Sequence, residues 1–235
     1  PAAPGLALVY LGGSHAVAAH VRGGGETSAR LVGEPLSVAS GAALVPLAAV
    51  VACGAAWVMR AGRVAHAAYV AGAAAAVAAA LRVTDMAFLH YRSNAFQLHR
   101  ARQLPGQTPD WDMLLSFAAS AEDPISGGRH KVIGSKPLAI PPQTSTIASH
   151  LPKAVGAAFS IGIARRLGMC GLPLPEDAVV LASFGDASAN HSTAQGAFNT
   201  AGWSAFQGTP LPLIFLCEDN GIGISEAFLP HIYEP

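Results

Sequence analysis

An α/β fold, with a mainly parallel sheet flanked by helices, is predicted by three features of the sequence. Ala178 to Phe184 and Leu211 to Cys217 are apolar runs without alternation, the pattern of strands buried on both faces. Ser192 to Phe206 lies between them and reads as a helix. Polar clusters, Gly185-Asp186 and Glu218-Asp219-Asn220-Gly221, close the two runs. A strand–helix–strand unit puts both clusters at the carboxyl edge of one sheet, where open α/β sheets bind ligands.

The 235 residues suffice for one large α/β domain, or for a domain with a smaller appendage. Residues 1–34 are rich in Gly, Ala and Ser and carry no readable element. Residues 42–81 read as one or two Ala-rich helices, Ala being the strongest helix former, with Arg60 and Arg63 between the halves. Residues 1–81 are therefore set apart as an Ala/Gly-rich, helical N-terminal third. Residues 82–235 form the α/β domain, incomplete at its C-terminus. The abrupt start at Pro1 and stop at Glu234-Pro235 read as those of a fragment.

Pro35 to Met59 holds no charged residue and is long enough to span a bilayer. Its Ala and Gly content and the interruption at Pro46 favour buried core instead. No basic stretch leads into an apolar one after Pro1, so no signal peptide is read.

From Thr84 the texture changes to the mixture of an ordinary enzyme. Phe88 to Leu104 reads as a turn entering a helix, and Pro105 to Pro109 as a loop. Trp111 to Ala121 reads as a short helix with Asp110 as its N-cap. Asp123 to Thr146 reads as a long irregular stretch, of the kind that tends to carry function. Lys153 to Gly168 is a helix, with Pro152 near its first position.

Composition narrows the class further. Only 12% of residues are charged, and the formal net charge is zero. Nothing points to a nucleic-acid partner. So sparsely charged a surface suits a chain covered by a partner subunit. Cys53, Cys170 and Cys217 are scattered and odd in number, which fits neither a disulfide framework nor a zinc site. They read as buried, reduced thiols of a cytoplasmic protein.

The strand-end clusters suggest a particular chemistry. Asp186 offers a hard oxygen at the end of one strand and Asn220 another at the end of the next. Magnesium takes an octahedron of oxygens at about 2.1 Å, a few from protein and the rest from phosphate and water. Gly185 lets backbone approach a phosphate closely. The helix beginning near Ser192 turns its positive end to the same crevice. Local duties would also suit both residues, an N-cap for Asp186 and an Asx turn for Asn220.

The text around these residues resembles a known family. Ser183-Phe184-Gly185-Asp186-Ala187-Ser188-Ala189-Asn190-His191-Ser192-Thr193, followed by Leu213 to Ser225 with Glu218-Asp219-Asn220-Gly221-Ile222-Gly223-Ile224, is similar to the thiamine-diphosphate motif of E1 components of 2-oxo acid dehydrogenases. The resemblance extends through His90-Tyr91-Arg92-Ser93, Gly128-Arg129-His130-Lys131 and Pro142 to Gly156. It covers about residues 82–226 and is closest to the alpha part of the branched-chain type, including bacterial forms with alpha and beta parts in one chain.

The resemblance implies the thiamine-diphosphate-binding fold and a set of roles. Asp186 and Asn220 would bind Mg2+, with the backbone carbonyl of Ile222. Tyr91 and Arg92 would contact the diphosphate, with Ala187 and Ser188. Ser145 and Ile147 would lie against the aminopyrimidine and thiazolium, Ile147 keeping the cofactor bent, and Ile224 would pack nearby. The implied reaction is oxidative decarboxylation of a branched-chain 2-oxo acid or pyruvate, with acyl transfer to a lipoyl group on E2. A beta part would supply the glutamate that activates the cofactor.

His150 and His130 are the catalytic candidates, since imidazole titrates near neutrality. Either also suits a local duty, His150 as a bonded histidine at a helix start and His130 in a solvated loop. His191 is expected to order the loop behind the metal, and Arg165-Arg166 to end a solvated helix. Four departures from the family pattern stand out. Ala187 replaces the motif's second Gly, Asp219 replaces its first Asn, the segment between the two halves is longer, with the loop Gln207 to Pro210 as the expected place, and a Gly-(His or Gln)-Glu element expected near residues 70–76 is absent. That absence, with the Ala-rich first third, supports a second reading: a non-catalytic remnant acting at subunit contacts.

Overall fold

Two adjacent parallel strands, β7 (Val180–Gly185) and β8 (Leu213–Glu218), run in register from Val180 opposite Leu213 to Gly185 opposite Glu218. They are interior strands of a six-stranded sheet. The structure is a computed structural model that describes residues 6–11, 17–21, 27–31, 62–169, 175 and 177–218. Strand β4 (Met86–Phe88) pairs parallel with β7 on one side. Strand β1 (Leu6–Leu11) pairs parallel with β8 on the other, and β2 (Val17–Val21) and β3 (Thr27–Leu31) add antiparallel strands. The order is β3-β2-β1-β8-β7-β4. Three strands thus occupy the first 34 residues, where sequence reading assigns none.

Both faces of the central strands are covered, which is why their sequences do not alternate. On one face Val180, Ala182 and Phe184 of β7 and Leu213, Phe215 and Cys217 of β8 pack against α4 (Leu151–Arg166) and α5 (Ser192–Phe206). Phe184, Phe198 and Phe215 meet there, with Phe198 edge-on to Phe215 at 4.9 Å between ring centres. Helix α5 buries only alanines, Ala194, Ala197, Ala201 and Ala205, so its backbone sits close to the sheet. On the other face Leu181 and Leu216 meet α1 (Gly62–Ala80), α2 (Asn94–Ala101) and the hairpin of β5 (Ile133–Ser135) and β6 (Ile140–Gln143). Arg100 is wholly buried there, donating from Nη1 to the carbonyls of Asp85 and Leu138. Its guanidinium lies 4.7 Å above the Phe96 ring. Burial lowers its pKa to about 10, against a raising influence from Asp85.

Several expected boundaries shift. The Ala-rich helix spans Gly62–Ala80, while residues 42–61 lie outside the described residues, as do the apolar stretch 35–59, Cys53 and Cys170. Helix α3 (Pro109–Phe117) is capped at Thr108 rather than Asp110. Proline presets the first helical φ, and this moves the start upstream and puts Asp110 and Asp112 in the first turn, beside the helix's positive end. The stretch Asp123 to Thr146 is not irregular throughout, since it contains β5 and β6. Among the described residues, no helix is long and apolar enough to cross a membrane.

Candidate active site at the strand ends

Because β4, β7 and β8 are parallel, the segments that follow them emerge along one edge. After β7 the chain enters a 3-10 turn, Asp186–Asn190, and then α5. His191 caps that helix, its Nδ1 accepting from the Thr193 N–H at 3.3 Å. Asp186 and Ser188 are buried in the turn and Ala187 is exposed. After β4 come His90, Tyr91, Arg92 and Ser93, then α2. After β8 come Asp219, Asn220, Ile222 and Ile224, all outside the described residues, so of the three expected metal ligands Asp186 alone is described.

Gly185 is the meeting point. A Cβ placed there would lie 2.7 Å from Nη2 of Arg92 and 3.4 Å from Cε1 and Nε2 of His90. Only glycine leaves room for this packing. Arg92 Nη1 donates to the Tyr91 hydroxyl at 3.3 Å, and the His90 ring lies 4.0 Å from that of Tyr91, the two tilted by 45°. His90 is buried, and burial, with the charges of Arg92, His150 and Lys131, holds its pKa down at about 3. At neutral pH it is an uncharged ring.

Behind Gly185 lies a buried polar network. The His90 N–H donates to Ser183 Oγ at 2.8 Å, and the Ser183 and Ser93 hydroxyls lie 2.7 Å apart. Ser93 donates to Glu218 Oε1 at 2.7 Å. Burial pushes the Glu218 carboxyl up to about 7, against the lowering influence of hydrogen bonds from Ser93 and Ser183 and of the Arg92 charge. The His150 ring meets the Ser183 carbonyl at 2.6 Å through Nε2, which therefore donates. Burial lowers the pKa of His150, offset in part by that bond and lowered further by Lys153.

The other expected residues lie on the loops above. His130 Nε2 is 3.5 Å from Ser145 Oγ, both exposed, so these two are brought together. Lys131, next to His130, donates from Nζ to the Tyr91 carbonyl at 2.9 Å and stands 4.5 Å above the Phe117 ring. This ties the His130 loop to the Tyr91-Arg92 turn. Ile147 is half exposed, on the stretch leading into His150 and α4. A separate cavity of about 220 Å3 lies between α2, α3 and the hairpin, and none of Gly185 to Ser188 lines it.

Sequence reasoning assigned no role to His90, Ser93, Ser183 or Glu218. One signal could have found Ser183 and Glu218: each is a polar residue at or within an otherwise apolar buried strand. Such groups need partners.

Fold and site together define a class: parallel α/β proteins that gather cationic and hydroxyl groups at the carboxyl ends of neighbouring strands. The family described as Dehydrogenase E1 component matches residues 56–228. The chain belongs to that family, the E1 components of 2-oxo acid dehydrogenases, which depend on thiamine diphosphate. No curated protein matches the sequence.

Proposed function

We propose that this chain is the alpha part of such an E1 and holds the diphosphate of thiamine diphosphate, through Mg2+, at the ends of β7 and β8. The observation that carries the reading is Gly185. Its bare Cα admits the Arg92 guanidinium at the end of β7, and the next residue is the buried Asp186, so one strand end brings a cation suited to phosphate and a hard oxygen suited to metal. The donor set fits the group. Asp186, Asn220 and the Ile222 carbonyl would hold Mg2+. Tyr91, Arg92, Ala187 and Ser188 would face the diphosphate, and Ser145, Ile147 and Ile224 the rings.

When bound, thiamine diphosphate supplies the nucleophilic carbon and the electron sink for decarboxylation. This chain's residues bind, orient and exclude water. His130, exposed and beside Ser145, is our candidate for moving a proton near the substrate, a branched-chain 2-oxo acid or pyruvate. His150 orients the strand end through its bond to Ser183. A beta part would complete the site, a lipoyl group on E2 would accept the acyl product, and the setting would be cytoplasmic. Residues 82–235 would carry the site, and residues 1–81 would be an Ala/Gly-rich N-terminal segment joined to the same sheet and core.

Calorimetric titration tests this. With the beta part present, thiamine diphosphate should bind only when Mg2+ is added, and Asp186→Ala should abolish binding. Magnesium-independent binding, or an Asp186→Ala variant that binds as well as the unaltered protein, overturns the reading. A second reading, a non-catalytic subunit piece, is favoured by one observation. Residues 70–76 are plain Ala-rich helix in α1, with Ala73 and Ala74 packed in the core. Binding without turnover in the assembled complex would support it.

A further inference from the structure

Ser93 stands at the N-cap of α2, where serine ordinarily accepts a hydrogen bond from the first turn, worth about 1 kcal/mol. Here its side chain makes no cap bond. The hydroxyl turns away from the helix, donates to Glu218 on β8 and meets Ser183 on β7. The proton directions follow. A backbone N–H can only donate, so Ser183 Oγ accepts from His90. Ser93 donates to Glu218, and Ser183, 2.7 Å from the Ser93 hydroxyl, has one proton to share between Ser93 and the same carboxyl. One connected chain results: His90 N–H to Ser183, then the paired hydroxyls of Ser183 and Ser93, then Glu218.

All three side chains are buried. A buried carboxyl bonded only to hydroxyls is costly to keep, and a helix start without its cap adds to the cost. Fold stability alone would favour an apolar residue at Glu218 and a capping geometry at Ser93. What the chain does achieve is positional. It fastens both ends of the four-residue turn His90–Ser93 to the strand ends that precede Asp186 and Asp219. Tyr91 and Arg92 lie between the fastened ends, with the Arg92 guanidinium against Gly185.

We propose that Ser93 is a positioning residue, which through Ser183 and Glu218 holds Arg92 over Gly185 in the pose that receives the diphosphate. The inference rests on the proposed function. It adds that the hydroxyl–carboxyl chain, which touches no cofactor atom, sets diphosphate affinity through Arg92.

The test is a double-mutant cycle on the full-length protein with its beta part, titrating thiamine diphosphate at saturating Mg2+ and recording the apo melting temperature of each variant. Ser93→Ala should raise Kd about 10-fold, as loss of an outer-shell partner commonly does. In an Arg92→Ala background the same change should raise Kd less than about twofold, because the residue it acts through is gone. A merely structural serine would weaken binding by the same factor in both backgrounds, and that result overturns the proposal. So does a Ser93→Ala Kd within twofold of the unaltered protein while Asp186→Ala abolishes binding. If Asp186→Ala binds normally, the underlying reading has failed instead. Should Ser93→Ala not fold, Ser93→Cys, similar in shape with a weaker donor, should show a smaller rise that also vanishes in the Arg92→Ala background; a rise that persists there overturns the proposal.

Discussion

At the scale of single residues, Gly185 and His90 make separate predictions. Gly185→Ala would press a methyl against Nη2 of Arg92, the far end of a flexible side chain. The fold should absorb this, with a melting temperature within about 3 °C of the parent, while thiamine diphosphate affinity falls about 10-fold as Arg92 is displaced. Equal affinity, measured by calorimetry, would show that Arg92 does not serve the cofactor from this position. His90 ties stability to pH. Folded, its ring takes a proton only near pH 3; unfolded, it takes one near 6.5. Protonation therefore favours the unfolded chain, and the contribution of His90 is whole above 6.5 and lost as pH falls toward 3. The Glu218 carboxyl, raised to about 7 from 4.5, runs the other way, its contribution whole below 4.5 and lost as pH rises through 7. His90→Gln should cost stability at pH 8, and its deficit against the parent should shrink steadily from pH 6.5 downward in melts across that range. A constant deficit would refute the burial of a neutral ring. At this scale the sequence was legible where residue type and position coincide, as at Asp186 and Gly185. It was not legible where a serine hydroxyl turns from its usual N-cap duty, because that choice depends on what β7 and β8 bring near.

At the scale of elements, loops and hairpin hold the predictions. Gly128 sits at φ +73°, and a Cβ there would meet the Ala119 carbonyl oxygen at 2.4 Å. Both backbone strain and a clash with rigid main chain oppose any side chain. Gly128→Ala should destabilise the fold by about 2–4 kcal/mol and displace the neighbouring His130 loop, to be read by urea unfolding. Arg100 pins α2 to β4 and the hairpin, and Arg100→Ala should cost about 3 kcal/mol by the same measurement, through lost packing and two unpaired carbonyls. The helices and the two central strands were readable because burial on both faces erases alternation and leaves plain apolar runs. The β5–β6 hairpin was not, for β6 is Ile140-Pro141-Pro142-Gln143, and proline removes ladder donors and argues against a strand. It is tolerated here because this sheet has only two strands, each with an outer edge. Strand β1, Leu-Ala-Leu-Val-Tyr-Leu, is itself an apolar run and was legible by the same rule, whereas β2 and β3 were hidden in short Ala- and Ser-bearing text between glycines.

For the whole molecule, ligand and fold should be coupled. Thiamine diphosphate with Mg2+ at about 100 times Kd should stabilise the protein by about 2.7 kcal/mol, and either component alone by much less. Differential scanning calorimetry on the parent and on Asp186→Ala separates this from non-specific salt effects, since the variant should gain nothing. The coupling follows from the topology. Three parallel strands, β4, β7 and β8, deliver their following segments to one edge, and the chain from His90 to Glu218 stitches those segments together before any ligand arrives.

The exposed indoles have an optical consequence. Trp111 on α3 and Trp203 near the end of α5 are each 61% exposed. Trp203 stacks on Phe206 and lies about 16 Å along α5 from Ser192, on the helix's rise per residue. With Trp57, outside the described residues, replaced by phenylalanine, emission should sit at the long-wavelength limit and be freely quenched by acrylamide. Loading the strand-end site should leave that spectrum unmoved. A second chain laid over α3 or α5 should shift it to the blue and shield it from the quencher. The protein's native fluorophores therefore report assembly, while cofactor occupancy has to be followed by heat.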